Sequence, residues 1–175
     1  MIIVNRGRTE QAGPPDEVYE RPRNRFVAEF MGRTNWFSGR LTRAAGPGLW
    51  WFESEGKTPF MVAPDAGREG LTVQVAVRPE RMGVQPAGGG DAGDGLNHLA
   101  GRIAVGEYLG ADLHHWVRLD SGERVLVVEK NVGQSLQPPE TPVVVRFDPR
   151  GCIVLPAAGS TGAEAPERPD PEVRP

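Results

Sequence analysis

The chain has 175 residues, room for one domain or two small ones with a modest core each, and its 38% hydrophobic share with 23 Gly and 17 Pro commits much of it to turns and linkers. A formal charge of −3 leaves no broad basic surface and argues against nucleic acid as a partner. The single cysteine, Cys152, excludes an intramolecular disulfide, and no apolar run approaches the roughly 20 residues a membrane helix needs.

In chain order, Ile2-Ile3-Val4 is a short β-prone run, Asn5-Arg6-Gly7-Arg8 a turn, and residues 9–13 a return strand. A hairpin this small is expected to be loose on its own, with unpaired edges. The N-terminus lacks a basic stretch ahead of an apolar one, so no signal peptide is read there. Pro14-Pro15-Asp16-Glu17 opens a short helix that Pro22 ends, with Gly13 as the expected cap. Asn24 caps a second helix, 25–31, on which Phe26 with Phe30 and Val27 with Met31 form i,i+4 pairs. Strands follow at 36–42, 49–53, 58–62 and 71–77, then a Gly-rich linker over 86–98. A second series reads 101–109, 113–119, 124–129, 142–147 and 153–155, with a hairpin turn at Asp120-Ser121-Gly122-Glu123. Alternation puts Leu113, His115, Val117 and Leu119 on one face and His114, Trp116 and Arg118 on the other. The tail 157–175 is Pro-, Gly- and acid-rich and is expected to be disordered. The fold class is mainly β: OB-like barrel halves at 35–85 and 99–156 behind a helical lead-in, 1–34.

Each motif with catalytic overtones has a plainer reading. Gly56-Lys57-Thr58 ends like a phosphate loop, but Trp51 stands where its first glycine belongs and Pro59 where its helix starts, so it reads as a hairpin turn. Gly88, Gly90 and Gly93 match a dinucleotide fingerprint only inside the linker. His114 and His115 point to opposite faces and cannot share an ion, so no metal site is expected. Cys152 alternates with Val154 and reads as a packed thiol. Trp36, Trp50, Trp51 and Trp116 read as core or interface anchors rather than a nucleic-acid platform.

The stretches Asn5-Arg6-Gly7-Arg8-Thr9-Glu10-Gln11-Ala12-Gly13, Glu17-Val18-Tyr19-Glu20-Arg21-Pro22 and Asn24–Gly32 resemble the end of the nucleotide-binding domain in ATPase subunits of ABC importers. Ala76-Val77-Arg78-Pro79-Glu80-Arg81, Tyr108-Leu109-Gly110-Ala111-Asp112 and residues 117–122 resemble those subunits' transport-associated OB (TOBE) region. Residues 33–37, Arg-Thr-Asn-Trp-Phe, lean toward the spermidine/putrescine or iron(III) branch. The resemblance covers about residues 1–155 and marks Asn35, Arg78, Pro79, Glu80, Tyr108, Gly110 and Asp112 as structural or interface positions.

What the resemblance implies is a regulatory and dimerisation module. It is expected to have no catalytic residue, cofactor or metal. The family's phosphate loop, signature motif, Walker acidic strand and switch histidine are not in this sequence, so no ATP hydrolysis by this chain is expected. The expected partners are a second copy of the chain, as a homodimer, and permease subunits reached through the ATPase domain of a parent protein. The expected location is the cytoplasmic face of the membrane, without direct insertion. The alternatives are a free-standing module for oxyanions or other small ligands, and a truncated fragment without function.

Overall fold

In this computed structural model, the residues described are 1–88 and 93–157. The expected tail and the centre of the linker lie largely outside them. The chain starts as a hairpin of β1 (Ile2–Asn5) and β2 (Arg8–Ala12), followed by α1 (Pro15–Glu20) and α2 (Arg25–Phe30). Asn24 caps α2 by accepting from the Val27 amide at 3.0 Å. The cap position of α1 is Pro14 rather than Gly13, and it offers no side-chain acceptor.

The hairpin is a two-stranded sheet with no third strand among the described residues, and the two helices pack against it. Ile3 packs in a small core with Val18 and Val27. Gln11 donates to the Arg21 carbonyl at 3.1 Å and accepts from the Arg23 amide at 2.8 Å, tying the strand to the link between the helices. Two apolar side chains and one bidentate amide thus hold the hairpin to the helices, while no other strand among the described residues pairs with its edges.

The remainder is two five-stranded antiparallel sheets. The first runs β12 (Ile153–Pro156), β6 (Thr72–Val77), β3 (Asn35–Gly46), β4 (Leu49–Ser54), β5 (Pro59–Val62). The second runs β7 (Met82–Pro86), β11 (Pro142–Phe147), β8 (Asn97–Leu109), β9 (Asp112–Leu119), β10 (Arg124–Lys130). Period-2 alternation sets the inner faces: Phe37 and Leu41 on β3, Leu99 and Ile103 on β8, and Leu113, His115, Val117 and Leu119 on β9 are buried.

The two sheets exchange their end strands. β7 precedes the linker but pairs with β11, Val84 opposite Val145, while β12 closes the chain and pairs with β6, Val154 opposite Val75. A cut at residue 85 therefore does not separate the sheets, and the linker narrows to the residues between Pro86 and Asn97. β7 escapes a strand reading because Gly83 and Pro86 interrupt its apolar pattern.

One core fills the space between the sheets. The Phe60 ring of the first sheet lies 5.1 Å from Phe37, 4.9 Å from Phe52 and 5.5 Å from Phe147 of the second sheet, centroid to centroid. Of the four tryptophans, only Trp50 packs against that core, and none is fully buried in it. Trp36, Trp50 and Trp51 are half-buried and Trp116 is exposed.

Candidate functional site

Arg78, Pro79 and Glu80 sit where β6 ends in a 3₁₀ turn, and that turn meets the helical lead-in. Arg78 is only 2% exposed. Its guanidinium carbon stands 3.9 Å from the centroid of the Tyr19 ring, Nη2 donates to the Tyr19 carbonyl at 3.0 Å, and Nη1 reaches the Ala28 carbonyl at 3.5 Å. Those carbonyls lie in the last turns of α1 and α2, where helix dipoles favour a cation. A buried arginine is costly unless its fork and charge are met, and here an aromatic face and two helix ends meet them. The Tyr19 hydroxyl donates to Glu80, and Arg81 pairs with Glu20. Burial, then the Glu80 hydrogen bond, pushes the Tyr19 phenol up from its ordinary range. The motif is thus a bolt joining the lead-in to the β module.

Asn35 opens β3 and fastens the first sheet to the second. Its Nδ2 donates to the Leu126 carbonyl at 2.8 Å and its Oδ1 accepts from the Leu126 amide at 2.8 Å, so the amide stands in for a neighbouring strand along β10. Asn97, opening β8, does the same to Met61 on β5, at 2.7 and 2.8 Å. The correspondence follows the sequence. Asn35-Trp36-Phe37-Ser38-Gly39-Arg40-Leu41 matches Asn97-His98-Leu99-Ala100-Gly101-Arg102-Ile103 in its Asn, its third-place apolar residue, its Gly-Arg and its final aliphatic. The module is an internal duplication, a signal present in the sequence but missed by reading the two strand series separately.

Beside Asn35 lies a half-open cavity of about 430 Å³, walled by Arg33, Trp36, Trp116, Arg124 and Leu126, with Pro79 at its edge. The arginines and the pairing of the two indoles across sheets were not anticipated.

The remaining marked residues stand apart, at the β8–β9 hairpin. Tyr108 is exposed, its hydroxyl donating to the Gln134 carbonyl and accepting from the Leu136 amide, both at 3.4 Å. Gly110 turns the chain with φ +66°, and Asp112 accepts from Lys130 at 2.7 Å. The structure brings Asn35 and Pro79 to one cavity but does not bring this hairpin trio to them.

Gly56-Lys57-Thr58 forms the β4–β5 turn. Lys57 adopts φ +69°, its amide donates to the Ser54 carbonyl at 2.9 Å, and Thr58 donates to Glu123 across the sheets. No helix N-terminus follows it. Cys152 is 9% exposed and burial, chiefly, pushes its thiol up to about 12, which suppresses the thiolate a nucleophile needs. His115 is buried whereas His114 faces away, and His98 pairs with Asp94 at 2.9 Å.

Residues 75–155 match the TOBE domain family. The chain is 38% identical over 132 residues to the spermidine/putrescine import ATP-binding protein PotA of Pseudomonas fluorescens Pf-5, covering 75% of this chain and 34% of that protein. It is 35% identical over 159 residues to PotA of Rubrobacter xylanophilus, covering 89% and 40%. The chain thus spans roughly a third to two fifths of the length of these curated relatives. Among solved structures, the cytoplasmic molybdate-binding protein ModG superposes with a TM-score of 0.59 at 13% identity, over 70% of this chain and 95% of that one. This is a likeness of fold. No helix among the described residues is long and apolar enough to cross a membrane.

Proposed function

Starting from a chain that carries a TOBE domain and is similar to part of ABC importer ATP-binding subunits, we propose that it is a non-catalytic regulatory and dimerisation module of such a subunit, serving polyamine uptake. One observation carries the reading. The Arg78 bolt fixes the helical lead-in to the β module, so that a displacement on one side is carried to the other. The lead-in is the part that resembles the border of an ATPase domain. Between two copies, a lasting contact makes reclosure of attached motor domains intramolecular, and this effective concentration is the physical basis of tethering. The partners are a second copy of this chain in a two-fold pair and, through a parent ATPase domain, permease subunits at the cytoplasmic face of the membrane.

The proposal implies no nucleotide turnover by the chain itself. A phosphate-release assay on the purified polypeptide with magnesium and ATP is expected to stay at background, and light scattering is expected to report a dimer at high micromolar concentration. Magnesium-dependent turnover defeats the non-catalytic reading, and a monomer throughout defeats the pairing. The ModG-like fold favours one alternative, a free-standing oxyanion module. Calorimetric titration with molybdate and tungstate separates the two, since the tethering module is expected to show no heat with either.

A further inference from the structure

The cavity beside Asn35 holds two cations that nothing in the fold employs. Arg33 and Arg124 have no hydrogen-bond or ion-pair partner for their guanidiniums among the described residues, and no acidic residue lines the cavity. Arg25, whose guanidinium lies 4.8 Å from the Trp36 ring centroid, is already paired with Glu29 at 2.7 Å. Two guanidiniums around one concavity that no carboxylate lines make a positive, fork-shaped donor set. Trp36 and Trp116 supply flat apolar walls, and about 430 Å³ is the size of a small-molecule site.

The duplication provides an internal control. Pairing Asn35 with Asn97 and Leu126 with Met61 puts Arg33 opposite Gly95, Thr34 opposite Leu96, Trp116 opposite Trp51 and Arg124 opposite Pro59. A cavity does lie at the second place, lined by Trp51, Pro59, Met61, Leu96, Asn97 and His98. The fold thus makes the concavity twice, with an aromatic wall each time, but sets arginines in one copy only. Packing and the strand clamp explain features common to both, and neither explains that asymmetry.

We infer that the cavity at Arg33 and Arg124 binds a small organic anion, a phosphate or carboxylate carried on a flat body, with the guanidiniums holding the anionic group and the indoles flanking the body. The site is independent of the tethering role. A polyamine, being a cation, is excluded from it.

The test titrates the full chain with phenyl phosphate, inorganic phosphate and spermidine, followed by tryptophan fluorescence and calorimetry. Phenyl phosphate is expected to bind and quench, while inorganic phosphate, which like molybdate and tungstate lacks the flat body, is expected to give no measurable heat. The double variant R33A/R124A is expected to lose affinity by roughly tenfold or more, since two charge-assisted hydrogen-bonding groups go. R33K/R124K keeps the charge without the fork and falls between. Trp116→Phe should remove most of the quench, while Trp51→Phe, in the arginine-free copy, should keep it. Binding that ignores the arginine substitutions, equal affinity for inorganic phosphate, competition by spermidine, or no binding at millimolar phenyl phosphate overturns the inference.

Discussion

His115 lies inward on β9 because it shares strand parity with Leu113 and Val117, and only 3% of it is exposed. Its Nδ1 has no hydrogen-bond partner among the described residues, and its Nε2 lies 3.5 Å from Glu129. Burial lowers its pKa from 6.5, and Glu129 opposes that shift without cancelling it. The folded state therefore refuses a proton that the unfolded chain accepts, so stability is retained above about pH 6.5 and lost as pH falls below it. Urea midpoints are expected to drop on acidification from pH 7 to pH 5.5, and His115→Leu should flatten that slope; an unchanged slope in the variant shows that other groups cause it. Parity separated His114 from His115 in the sequence and set His115 on the face of Leu113, Val117 and Leu119. The marked residue Arg78 was legible as special yet not as buried, because arginine is rarely found inside a protein and its cover comes from residues 50 and 59 positions away.

At the level of elements, each half folds because a first strand crosses close over a second at a residue without a side chain. A Cβ on Gly39 would stand 2.1 Å from the Glu53 carbonyl oxygen, and one on Gly101 would stand 2.6 Å from that of Arg118. Backbone cannot yield as a side chain can, so Gly39→Ala and Gly101→Ala are each expected to cost about 2–3 kcal/mol in urea unfolding. Gly83→Ala, on β7, meets only the Glu129 carboxylate at an ordinary 3.6 Å and should cost far less. Equal effects at all three positions sink the close-crossing account. The strands holding these glycines were readable because their apolar residues alternate. The exchange of β7 and β12 was not, since the pairs it makes, Val84 with Val145 and Val75 with Val154, join residues far apart in the chain, and no local pattern encodes that.

For the whole molecule, the exchange has a thermodynamic consequence. Residues 1–88 contain four strands of the first sheet but lack β12, and they carry β7 with no partner for it. They also lose Ile103, Val117, Val145 and Phe147 from the shared core, and Asn35 loses the Leu126 backbone that satisfies its buried amide. An unsatisfied buried amide and a half-exposed core both oppose folding, so residues 1–88 alone are expected to show no cooperative unfolding transition. The complementary fragment, 93–157, fails for the mirror-image reason: β12 has no β6, and Asn97 has no Met61. Mixing the two should restore a single transition by circular dichroism and tryptophan fluorescence alike. A cooperative transition in residues 1–88 alone means that the halves are separate domains. The Arg78 bolt then joins the lead-in to one half only, and a signal entering through the helices has no rigid path to the Tyr108 hairpin of the other.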